Sequence, residues 1–127
     1  MQEHHLFEYA VIRIVPRVER EEFINVGVVL FCKKHQFLQV KYVVDAQRLQ
    51  VFCPVLDVPA VEAYLAGFEK ICKGDADGGP IAKLDLASRF RWLTANRSTV
   101  LQTSKVHPGL CTNPEKKLNQ LFEELVG

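Results

Sequence analysis

The residues with the most evident chemistry lie in two clusters. Arg89-Phe90-Arg91-Trp92 interleaves guanidinium groups with aromatic rings, and Arg97-Ser98-Thr99 sets another guanidinium beside two hydroxyls. Arginine matches phosphate and carboxylate oxygens bidentately, and an arginine stacked on Trp92 can face a base or a sugar ring. The plainer reading makes Phe90 and Trp92 core anchors, with the arginines solvated or paired to Glu19, Glu21 and Glu22. Arg13 stands apart, mid-strand among β-branched residues, where a long cation needs a partner. Alternation puts Arg13 and Asn25 on the same sheet face. Glu19 or Glu22 can complete an ion pair there, or the site is open to a ligand. Gly27 interrupts the second strand and marks a bulge or a close approach, making room for the Trp92 or Tyr64 ring or for a ligand.

Catalytic patterns are sparse. There is no P-loop, dinucleotide-binding glycine pattern or G-x-S-x-G elbow. His107, near Thr103 and Ser104, is a candidate general base, and Glu22 a candidate carboxylate, for a small metal-dependent hydrolase or nuclease. A lone histidine before Pro-Gly is more commonly a turn residue, and no orienting acid is in view. Cys32, Cys53, Cys72 and Cys111 are widely spaced with no C-x-x-C pair, which argues for reduced, packed thiols rather than zinc or disulfides. The residues call for no metal and no cofactor.

The balance of the whole chain narrows little. Its 127 residues are 48% hydrophobic and 24% charged, with a net charge of +1. That mix builds one domain, residues 1–127, and does not by itself point to nucleic acid or an anionic membrane. No apolar run is long enough to span a bilayer, and Met1-Gln2-Glu3-His4-His5 lacks a secretory pattern, so the expected location is cytoplasmic. The neutral total conceals an asymmetry. Ser88 to Pro114 holds Arg89, Arg91, Arg97 and Lys105 and no carboxylate, whereas residues 57–87 are net acidic. Such asymmetry marks a surface that meets an anion or an acidic partner.

The elements that must position these groups follow from periodicity. Residues 7–16, 23–32 and 37–44 read as three strands of an antiparallel meander. Alternation assigns Ile12, Ile14, Val26, Val28, Leu30, Leu38, Val40, Tyr42 and Val44 to a core face. Tyr9, Val11, Arg13, Asn25, Gly27, Val29, Phe31, Gln39 and Lys41 go to a mixed face that is half covered or lines a cleft. A short helix opens at Asp45, and residues 58–73 form a longer one between an Asp57 cap and Gly74. Residues 75–80 read as a loop, 83–91 as a short helix, 98–104 as a fourth strand and 106–109 as a turn. The last helix starts at Asn113 with Pro114 in its first turn. His4 and His5 are expected on a loose terminus. The fold class is α+β, a four-stranded mostly antiparallel sheet with helices packed on one face.

Tyr9-Ala10-Val11-Ile12-Arg13-Ile14-Val15-Pro16, Arg20 to Leu30, Arg89 to Ala95, Arg97-Ser98-Thr99 and Val106 to Leu110 resemble the two signatures of an uncharacterised bacterial family, domain of unknown function 3037. The resemblance implies no established activity. It implies a neighbour, since members are often encoded beside a kinase-like protein of the HipA type. Its characteristic positions are Arg13, Pro16, Arg20, Glu22, Asn25, Gly27, Arg91, Arg97, Ser98, Thr99 and His107. Asn96 departs from the proline common there.

Three functions are therefore in contention. The first is a binding or accessory module with a protein partner. The second is a domain for a phosphate-containing ligand, nucleotide or nucleic acid. The third is the hydrolase. The candidate anion site joins Arg13, Asn25, Arg91, Arg97, Ser98, Thr99 and His107 in one cleft between the mixed face and the segment Arg89–His107, supported by Arg20, Glu22, Gly27 and Trp92.

Overall fold

The computed structural model describes residues 3–127. Met1 and Gln2, the start of the segment expected to lack a secretory pattern, lie outside the described residues. Apolar, β-branched runs form strand β1 (His5–Ile14), β2 (Ile24–Cys32) and β3 (Phe37–Tyr42), joined antiparallel as the meander predicts. The chain then turns helical in α1 (Ala46–Phe52), α2 (Val58–Lys73) and α3 (Leu86–Leu93). Asp45, Asp57 and Asp85 each cap the following helix through a carboxylate that accepts a backbone N–H. Gly74, at φ +68°, ends α2 in the left-handed conformation. Strands β4 (Leu101–Thr103) and β5 (His107–Cys111) and helix α4 (Pro114–Leu125) complete the chain.

The fold is α+β on an antiparallel sheet, ordered β3-β2-β1-β4, with β5 pairing the other half of β1 along the edge that β4 uses. Residues 107–109, expected to turn, begin β5 instead, opposite Phe7, Glu8 and Tyr9. The pairing register steps by one residue between β4 and β5, so residues 101–111 act as one bulged partner of β1. His5 is no loose terminus either. It starts β1, and its ring meets the His35 ring edge-on at 4.7 Å.

Two corrections concern the sheet faces. Ile12 pairs with Gly27 but Arg13 pairs with Asn25, which leaves Val26 as an extra residue. This bulge flips the rest of β2. Val29 and Phe31 join Ala10, Ile12, Ile14, Val26 and Leu38 in the core beneath α1–α3, against the expected phase. Val28 and Leu30 go to the opposite face with Phe7, Cys32 and Cys111. Helices also cover both faces, not one. The apolar stripe of α4 (Leu118, Leu121, Val126) buries that second face. The mixed face is thus not the wall of an open cleft, because α4 closes over it.

Candidate functional site

The anion-site residues divide between the two sides of the sheet. Arg13 and Asn25 are cross-strand partners on the α4 face. The Arg13 guanidinium lies over the Phe23 ring at 4.0 Å, and Asn25 Nδ2 donates to the Leu125 carbonyl at 3.2 Å. Arg13 Nε and Asn25 Oδ1 are both buried without a partner. Among the described residues Arg13 forms no ion pair with Glu19 or Glu22, and Glu22 pairs instead with Arg20 inside the β1–β2 connector. Gly27 accommodates neither Trp92 nor Tyr64. A Cβ there would stand 2.8 Å from the Lys41 carbonyl oxygen and from Tyr42 Cβ, so the close approach is strand to strand.

The other arginines serve the helices. Arg91 makes a bidentate pair with Glu8, two bonds of 2.9 Å. Hydrogen bonding to that carboxylate raises the Arg91 pKa above its ordinary value. Arg89 is buried at the end of α2, where a Cβ on Gly74 would strike its guanidinium. Burial pushes the neighbouring Cys72 thiol up to about 12, although Arg89 opposes this, so the thiol stays protonated. Arg97 folds back on the C-terminus of α3. It donates to the carbonyls of Leu93 (3.2 Å), Ala95 (3.3 Å) and Trp92, and stacks on the Trp92 ring at 4.4 Å. A cation suits the negative end of a helix, and the bond to Leu93 satisfies a carbonyl the helix leaves unpaired.

The His107 ring lies tilted against the Tyr9 ring, centroids 5.3 Å apart. Glu22 lies beyond the far end of β1, so Tyr9 to Ile14, about 17 Å of strand, separates the two residues proposed for hydrolysis. The arginines, Asn25 and His107 therefore do not converge in one cleft.

What the structure does bring together is Trp92, Arg97, Ser98 and Thr99. They form one wall of an open groove of about 870 Å³. The opposite wall is α2, through Ala63, Tyr64, Gly67, Phe68 and Ile71, and β4 runs along the floor. Trp92 is 41% exposed and Tyr64 50% exposed at its lips. Lys70 and Asp77 close one end with a 3.0 Å ion pair, whose hydrogen bond holds the Asp77 carboxyl below its usual range. Sequence reasoning missed the α2 wall. The signal was present, since Ala63 and Gly67 put two small residues four apart on one helix face. A Cβ on Gly67 would meet nothing within 4 Å, so this glycine opens the groove.

A family profile described as "Protein of unknown function (DUF3037)" matches residues 9–126, nearly the whole chain. The chain belongs to this family. Its span covers both halves of the groove as well as the Arg13–Asn25 pair. No curated protein and no solved structure matches the chain. Among the described residues, no helix is long and apolar enough to cross a membrane.

Proposed function

We propose that the chain is a binding module that engages a protein partner through the groove between α2 and the segment Trp92–Thr103. The observation that carries this reading is a large, mostly apolar concavity with Trp92 and Tyr64 held half exposed at its lips. Concave apolar sites with a few polar groups are the usual form of a binding pocket, and aromatic anchors dominate protein interfaces. The phosphate-ligand reading gains less support. Arg91 is neutralised by Glu8, and Arg97 is held by three backbone carbonyls, so an anion would have to displace bonds already made. The partner we put forward is the kinase-like, HipA-type protein that the family resemblance implies. We place the pair in the bacterial cytoplasm, a reading supported by four free cysteines.

The test is co-expression with the HipA-type protein encoded beside this chain, followed by capture on a tag. Capture is expected from the parent chain and is expected to fall at least tenfold with Gly67→Leu, which extends an apolar side chain from a position where an added Cβ meets nothing within 4 Å. Equal capture by parent and variant would remove the groove from the interface. No capture at all would remove the named partner.

A further inference from the structure

β4 is the terminal strand of the sheet on this side. Val15 N–H donates to the Val100 carbonyl and Ser104 N–H to the Val11 carbonyl, at 2.7 and 2.8 Å. These bonds set the phase of the ladder. Val100, Gln102 and Ser104 turn their backbone groups toward β1, so Leu101 and Thr103 turn theirs outward. The Thr99 hydroxyl donates to the Leu101 carbonyl at 2.7 Å and is the outward contact that an incoming strand would share or replace.

The two halves of this edge differ. β5 contains Pro108, which has no N–H to offer a further strand, a common way of blunting an edge. β4 has no proline and no charged residue. Four consecutive residues, Val100 to Thr103, line the groove, so the edge itself and not only one face of the strand opens into it. The Leu101 and Thr103 side chains share the α2 side of the sheet with Ile14 and Ile12. Alternate side chains of an added strand would therefore point toward Gly67 and Trp92. Among the described residues, the only carboxylate lining the groove, Asp77, is paired with Lys70, whereas Arg97 meets only neutral carbonyls and forms no ion pair. The groove thus carries one uncompensated positive charge.

Resting on the groove as a protein-binding surface, we propose that its occupant is an extended segment of a partner protein that adds as a strand to β4. That segment carries apolar side chains at alternate positions toward α2 and an acidic residue drawn by the Arg97 charge through space, while the guanidinium keeps its bonds to the carbonyls. Main-chain bonds to Leu101 and Thr103 would supply affinity, and the Gly67–Trp92 recess and Arg97 would supply selectivity.

The test uses a displayed library of random linear octapeptides, selected on the whole chain. Recovered peptides are expected to alternate apolar residues and carry an acidic one. Their synthetic forms should blue-shift the emission of Trp92, the single tryptophan, and slow hydrogen exchange at the Leu101 and Thr103 amides. Gly67→Leu should weaken binding at least tenfold. Thr103→Pro, which removes an outward N–H without breaking the β1 ladder, should do the same while circular dichroism stays unchanged. Peptides that bind and yield to Gly67→Leu but leave both amides unprotected would overturn strand addition and leave the groove reading standing. An empty selection would also overturn it, and the groove reading then stands or falls with capture of the HipA-type protein. Protection of the two amides that rises with protein concentration in the absence of peptide would show the occupant to be a second copy of this chain, which equally overturns the proposal.

Discussion

Arg97 decides between a structural and an anion-binding role, and Arg97→Ala tests the choice. In the folded chain its guanidinium donates to the carbonyls of Trp92 and Leu93 at the end of α3 and of Ala95 just beyond it, and stacks on Trp92. A hydrogen bond to a charged group contributes about 1.5–3 kcal/mol when well buried. Arg97 is only partly buried, and the released carbonyls would be rehydrated in part, so the three bonds together contribute about 2 kcal/mol. Unfolding entropy of about 2.1 cal/mol/K per residue over 127 residues converts this to a fall in Tm of about 7 °C. Arg97→Lys should recover less than half of the loss, because a point charge cannot serve three carbonyls and lacks the planar face that stacks on Trp92. The assay is urea unfolding followed by far-UV circular dichroism, with the m-value required to stay constant. A loss below about 0.5 kcal/mol, coupled with weakened binding of inorganic phosphate, would refute the structural assignment and return Arg97 to the anion site.

Three further outcomes follow from the same geometry. Ser104→Ala should cost about 1–3 kcal/mol in urea unfolding, since the buried Val11 N–H donates to the Ser104 hydroxyl at 2.9 Å and would lose its partner at the β4–β5 bulge. A neutral result would show that another acceptor replaces it. Gly27→Ala should cost about 1–3 kcal/mol in the same assay, because its Cβ would meet strand backbone that cannot move aside. An unchanged midpoint would mean that the β2–β3 spacing yields. The Asp85 carboxyl is held below its usual range chiefly by the backbone N–H of Ser88. A lowered folded pKa adds stability above the unfolded value, near pH 4, and loses it as pH falls. The stability advantage of the parent over Asp85→Asn, which cannot titrate, should therefore shrink in thermal scans between pH 5 and pH 3. A constant difference would contradict the assignment.

Much of the scaffold was legible because its signals are local. Three β-branched runs, the aspartate caps of α1 and α2, Gly74 after α2 and Pro114 after Asn113 each mark an element within a few residues of chain. The errors arose where one residue changed a long-range relation. Val26 added a single position to β2 and exchanged the faces of Val28, Val29, Leu30 and Phe31. His107-Pro108-Gly109 carries turn chemistry, yet pairing with β1 overrode it. The charge pattern was real in composition, but it could not show that Arg91 would reach Glu8, 83 residues away, or that Arg97 would turn back on its own helix.

The order of amino acids by itself determined the α+β class, the positions of most elements and the family signatures, because helix and strand periods, caps and turn residues act over one or two turns of chain. Tertiary structure alone decided which side of the sheet each arginine occupies, that α4 seals the mixed face, and that Gly67, Trp92 and the free edge of β4 share a groove. Those relations depend on strand register and on contacts between distant segments, and a shift of one residue reverses them without altering any local signal.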